Sequence, residues 1–126
     1  MEKYKKVFGD IGEKLAAKYL EKKKYKIIEN NYVSGKGEID IIARQKDYTV
    51  FVEVKTRSSE KYGTAADAVN YPKRKKLIET AQRYILEKNP DTAYRFDVIE
   101  VYGNFASGEF EFEKIEHIEN AFGVNW

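Results

Sequence analysis

Near the start of the chain apolar residues recur at helical spacing. Phe8, Ile11, Leu15, Ala16, Tyr19 and Leu20 share one face, which predicts a helix from about Tyr4 to Lys23. Tyr25 to Tyr32 reads as a strand. From Gly37 the period shortens to two. Ile39, Ile41 and Ala43 form one apolar stripe and Val50, Val52 and Val54 another, so two consecutive strands are predicted around a tight turn at Lys46-Asp47. Helical spacing returns with Leu77, Ile78, Ala81, Tyr84 and Ile85. Pro72 suits the start of that second helix and Asn89-Pro90 its end. Arg95 to Tyr102 reads as a strand, Gly103 to Gly108 as a turn, and Glu109 to Ile115 as the last strand. The order is α-β-β-β-α-β-β. A mixed sheet flanked by one helix on each face would bury both helical stripes, so an α/β fold is expected.

The register of the central hairpin brings charged residues together. A turn between Lys46 and Asp47 pairs residues whose numbers sum to 93, setting Asp40 opposite Glu53. Residues opposed in an antiparallel pair share a face, with Cβ atoms about 4.5–5.5 Å apart. Lys55 falls on the same face as Glu53, with Glu38 as its partner across the hairpin. Opposed like charges destabilise a sheet. A divalent cation would offset the repulsion, and Mg²⁺ in particular is held by as few as one or two carboxylates together with phosphate oxygens and water. The bland alternative is a surface pair of Lys55 with Glu53, worth roughly 0–1 kcal/mol.

Composition narrows the classes without choosing among them. The 126 residues suit a single domain spanning 1–126. With no Cys, disulfides and thiolate sites are excluded. The opening residues lack the apolar segment of a signal peptide, and no run approaches the roughly 20 apolar residues of a membrane span, so a cytoplasmic protein with no membrane contact is expected. A net charge of +2 argues only weakly for nucleic acid, but Lys22-Lys23-Lys24 and Lys73-Arg74-Lys75-Lys76 are local basic clusters. The first reads as a solvated helix face. The second opens a helix, where the macrodipole already disfavours cations; either a phosphate backbone or simple solubility accounts for it.

These residues carry a resemblance. Asp40 on one strand and Glu53-Val54-Lys55 on the next, within this order of elements, resemble the PD-(D/E)XK nuclease superfamily with its restriction-endonuclease-like fold. The closer resemblance is to the YraN-like family of small bacterial proteins. It is carried by Gly9-Asp10-Ile11-Gly12-Glu13, Gly37-Glu38-Ile39-Asp40, Phe51-Val52-Glu53-Val54-Lys55-Thr56-Arg57, Arg95-Phe96-Asp97-Val98 and His117-Ile118-Glu119-Asn120-Ala121-Phe122, and it covers almost the whole chain. Ile39 stands where the superfamily's loose motif has a proline. The chain is also similar to archaeal Holliday-junction resolvases, small dimers in which a glutamate of the first helix joins the metal-binding acids; Glu13 holds that place. Glu13 has a second reading, as part of an Asp10-x-x-Glu13 capping arrangement.

The resemblance implies a metal-dependent endonuclease acting on DNA, including branched or single-stranded forms. Asp40, Glu53 and Glu13 would hold Mg²⁺, with Mn²⁺ as a substitute. Lys55 would act on the attacking water or the developing charge, with Glu38 and Arg57 bracing the site. Lys73, Arg74, Lys75 and Lys76 would meet the nucleic acid, and a homodimer would supply two sites. The alternative is a nucleic-acid-binding or scaffold protein on a nuclease fold without turnover, since fold and function separate readily; RNA is a further candidate substrate. Asp97 reads as a buried acid bonded to an arginine or backbone, and His117 as structural. Gln82 reads as a surface residue, while Tyr62 and Tyr71 are candidates for stacking on bases or for rim packing.

Overall fold

The computed structural model describes residues 2–58 and 70–124, with side chains from residue 6 onward. Helix α1 spans Glu2–Lys22, strand β1 Lys26–Ser34, β2 Gly37–Gln45, β3 Tyr48–Arg57, helix α2 Tyr71–Lys88, β4 Ala93–Ala106 and β5 Glu109–Ile118. The five strands form one sheet in the order β1-β2-β3-β4-β5. β3 and β4 are the parallel neighbours; the other pairs are antiparallel. A parallel pair needs a crossover connection, and α2 lies within it. The α-β-β-β-α-β core and the additional C-terminal strand are those expected from the sequence.

The helices cover opposite faces. Ala16 and Leu20 of α1 pack with Ile41, Ala43, Val50, Val52, Val54, Ile99 and Val101. Leu77, Ala81 and Tyr84 of α2 pack with Tyr32, Ile39, Ile42, Phe51, Phe96 and Val98. The stripe read from the sequence therefore needs a correction: Ile39 lies on the α2 face, whereas Ile41 and Ala43 lie on the α1 face. β2 changes phase at Asp40.

Local chemistry sets the ends of α2. The Asn70 side chain accepts from the Lys73 N–H at 3.1 Å, and Pro72 sits in the first turn. Asn89 takes left-handed φ of 45° and its N–H bonds Ile85 at 2.7 Å. The last hairpin is longer than the sequence suggested. β4 runs through Gly103 to Ala106, and Ser107-Gly108, both at positive φ, make the turn. Gly103 is a strand residue beside a register shift, where a Cβ would collide with the Phe110 ring.

Two close approaches place the helices. A Cβ on Gly12 of α1 would collide with Thr56 of β3, and one on Gly37 of β2 with Thr80 of α2. These glycines let each helix lie directly on the strands next to Asp40 and Glu53. No helix among the described residues is long and apolar enough to cross a membrane.

Candidate functional site

The hairpin register is the one read from the turn, since Gln45 pairs with Tyr48, Ile42 with Phe51 and Ile41 with Val52. The ladder stops there, one step short of Asp40 and Glu53. The Asp40 carboxylate instead accepts the Val54 N–H at 2.8 Å. A side chain thus takes a bond that backbone would otherwise make, and β2 turns Ile39 to the opposite face. Between β1 and β2 the paired residues Asn30–Ile41 and Tyr32–Ile39 flank Asn31 and Asp40, which lie opposite each other without forming a ladder pair. Asn31 has φ of 53°, a left-handed conformation that Asn adopts more readily than most residues. The sheet is therefore irregular along one row, Asn31–Asp40–Glu53.

That row is electrostatically costly. Glu53 is buried at 8% exposure. Burial, the Glu53 charge and a side-chain hydrogen bond with Glu53 together push the Asp40 carboxyl up to about 8, against the opposing pull of the Val54 N–H. The two carboxylates thus behave as a close pair that resists double ionisation. Lys73 of α2 reaches Glu53 at 3.4 Å. Lys55 is half-buried beside Lys73, and its ammonium lies below the usual lysine range, first through burial and then through Lys73. Asp40, Glu53, Lys55 and Lys73 form one interacting cluster on the α2 side of the sheet.

Glu13 comes from α1, seated by Gly12. It accepts from Asn31 Nδ2 at 2.7 Å, and burial holds its carboxyl above the usual range despite that bond. A cavity of about 420 Å³ opens between α1 and the end of β3, lined in part by Phe8, Glu13, Lys55, Thr56 and Arg57. Glu38 is a correction. It is exposed and accepts from Asn31 Nδ2 at 3.2 Å, on the side of Glu13. The expected Glu38–Lys55 partnership fails because the β2–β3 ladder ends before it. Arg57 pairs with Glu100, which is fully buried on β4.

The basic run divides. Lys73 turns inward to Glu53, and the Arg74 guanidinium lies 5.9 Å from the Phe122 ring. Lys75 and Lys76 stay exposed. Asp97 is bonded to an arginine and to backbone, as expected, and His117 is among its partners. Asp97 takes Arg95 Nε at 2.8 Å, the Asn120 N–H at 3.0 Å and His117 Nε2 at 2.7 Å. Burial opposes its ionisation, but these partners hold it below the usual carboxylate range. Gln82 and Tyr71 are exposed; Tyr62 lies outside the described residues.

Asn31 was not visible as a site residue in the sequence. It joins Glu13 to Glu38 through one amide, and its only signal is an Asn doublet inside a strand, where Asn is disfavoured. Among the described residues no three Asp, Glu, His or Cys side chains stand close enough to hold a metal ion together. Glu13 is thus not drawn in as a third acid. The fit to Mg²⁺ rests on Asp40 and Glu53, a ligand number that ion commonly accepts.

Residues 12–101 match the sequence pattern of a family described as "Uncharacterised protein family UPF0102". Among curated relatives, a UPF0102 protein of Caldanaerobacter subterraneus subsp. tengcongensis is 49% identical over 94% of this chain and 96% of its own length. One from Clostridium acetobutylicum is 45% identical over 98% of this chain and 100% of its own. One from Clostridioides difficile is 49% identical over 90% and 95%.

Proposed function

This chain belongs to the UPF0102 family, and from that premise we propose that it is a metal-dependent nuclease that hydrolyses phosphodiester bonds in DNA. The observation that carries the reading is the Asp40–Glu53 pair. Two carboxylates are forced together in a buried row, with Asp40 pushed up to about 8. A purely structural role gains nothing from that repulsion, whereas a cation that binds both acids relieves it.

Asp40 and Glu53 would hold the ion, with Glu13 reaching it through water. When bound, Mg²⁺ supplies positive charge to the phosphoryl group and acidifies water. The chain's own residues do the rest. Lys55 Nζ, with its proton affinity lowered by burial and by Lys73, accepts the proton of the attacking water. The water oxygen forms the new P–O bond, the bridging P–O bond breaks, and the departing alkoxide takes a proton from solvent. Arg57, anchored by Glu100, lines the cavity and meets a phosphate oxygen. Asn31 keeps Glu13 aimed at the site. Coordinated cuts in a branched DNA need two such sites, for which a two-fold dimer is the simplest arrangement.

One observation favours the alternative, a nucleic-acid-binding protein without turnover. Lys73 sits on Glu53 and already neutralises one of the two acids. The readings part on metal affinity. Calorimetric titration with Mn²⁺ should show binding to the wild type that is lost in Asp40→Asn and tightens as pH rises toward 8, because binding requires Asp40 to give up its proton. Absence of binding at millimolar Mn²⁺ at pH 8.5 would leave the binding protein as the better reading.

A further inference from the structure

Helix α2 carries a row of residues that starts at Lys73, within the acidic cluster, and continues through positions the nuclease chemistry does not use. Lys73, Lys76, Thr80 and Arg83 are spaced by three, four and three positions and so lie along one helix face. The row begins at the acidic pair, where Lys73 meets Glu53 at 3.4 Å. It ends at the β1–β2 turn. There the Arg83 guanidinium lies over Gly35, with Nη1 3.1 Å from where a Cβ would stand, and Gly35 has φ of 60°. Thr80 packs on Gly37 and donates to the Lys76 carbonyl at 2.8 Å. The turn and the helix enclose a cavity of about 340 Å³ lined in part by Lys36, Lys76, Glu79 and Arg83.

The charges of this cavity are unspent. Among the described residues, Lys36, Lys76 and Arg83 make no ion pair, although other bases of the chain do. Three cations face one acid, Glu79. Thr80 closes the inner end of the cavity, because Gly37 leaves no room for a side chain where the helix touches the turn.

We propose that Lys36, Lys76 and Arg83 form a binding track for the phosphodiester backbone that flanks the bond cut at Asp40 and Glu53. The track rests on the nuclease reading for its direction. The ten helical steps from Lys73 to Arg83 span about 15 Å, and a nucleic-acid strand carries one charge per roughly 3.4 Å of helix axis. Roughly four phosphates therefore pass along it. A single phosphate or a mononucleotide would leave most of the track empty, whereas a chain running out of the cleft meets its cations in succession. Among Lys73, Arg74, Lys75 and Lys76, this assigns outward binding to Lys76 and leaves Lys73 to the catalytic cluster.

The test is binding of fluorescent single-stranded and duplex DNA across a salt series without divalent ions, so that it does not depend on cleavage. Replacing Lys36, Lys76 and Arg83 together by Gln should flatten the slope of log affinity against log salt by about 2 for single strands, about 0.7 per lost contact. A charge-matched control, Lys22, Lys24 and Lys26 together to Gln, should keep the wild-type slope. Arg83→Lys, which keeps the charge, should also keep it, and the single Gln variants give the same answer in smaller steps if the triple variant folds poorly. The proposal is overturned if the wild type does not bind, if the track variants keep the full slope, or if the control loses as much as they do. Tight binding together with failure of the Mn²⁺ titration would retain the track and remove the nuclease reading.

Discussion

Lys55→Ala is expected to slow phosphodiester hydrolysis at least a hundredfold, about 2.7 kcal/mol of transition-state stabilisation, while DNA affinity changes by no more than about one phosphate contact in the salt slope. The expectation follows from where Lys55 sits. It is half-buried on the face of the acidic pair, and both burial and Lys73 make its ammonium easier to deprotonate. Such a group gives up its own proton more readily than an exposed lysine and is suited to taking one from water. A lysine used only to bind phosphate would be better placed in solvent, fully charged. The pH profile separates the two. In the catalytic reading, the rate rises with pH as Lys55 loses its proton. Lys73→Ala removes the neighbouring cation, raises the Lys55 proton affinity and displaces that rise to more alkaline pH. A Lys55→Ala variant that cleaves as fast as wild type would refute the role given to it, whatever the fold.

The second large effect is on stability. Asp40 ionises in the folded protein at about 8, against an ordinary value of 3.8. Between those values the unfolded chain has released a proton that the native chain retains. The metal-free protein should therefore be most stable near and below pH 4 with respect to this group, and lose stability as pH rises toward 8, by at most about 1.4 kcal/mol per pH unit. Asp40→Asn keeps an acceptor for the Val54 N–H and removes the charge. It should abolish this slope and leave the variant more stable than wild type at pH 8 by at least about 1 kcal/mol, one pKa unit's worth. Denaturant melts at pH 5, 6.5 and 8 measure it. Wild-type stability that stays flat over this range, or a loss on replacing Asp40 at pH 8, would show that the pair is not under electrostatic load.

The sequence made the frame of this site readable because the frame is periodic. The period-two stripes and the Lys46-Asp47 turn give the hairpin register, and the register gives the Asp40–Glu53 encounter. Helical spacing gave α1 and α2 and, with Pro72 and Asn89, the limits of the second. Two of the misreadings share one cause. At Asp40 a side chain replaces a ladder hydrogen bond, and no alternation of apolar and polar residues encodes that. Beyond this point, extrapolating the register put Ile39 on the wrong face and Glu38 beside Lys55. Lys73 and Arg74 looked like two members of one basic surface, yet adjacent helical positions point in different directions, so one reaches Glu53 and the other Phe122. Asn31 acts through a left-handed backbone that a strand pattern does not announce.

The most direct test of the central claim is hydrolysis itself. Labelled linear, single-stranded, flapped and four-way-junction DNAs are incubated with the wild type and with Asp40→Asn, in Mg²⁺ or Mn²⁺ and in chelator. The nuclease reading predicts cleavage of at least one of these DNAs by the wild type, lost in chelator and lost in Asp40→Asn. Cleavage that persists in Asp40→Asn, or no cleavage of any of them by a wild-type protein shown to bind both DNA and metal, would contradict it.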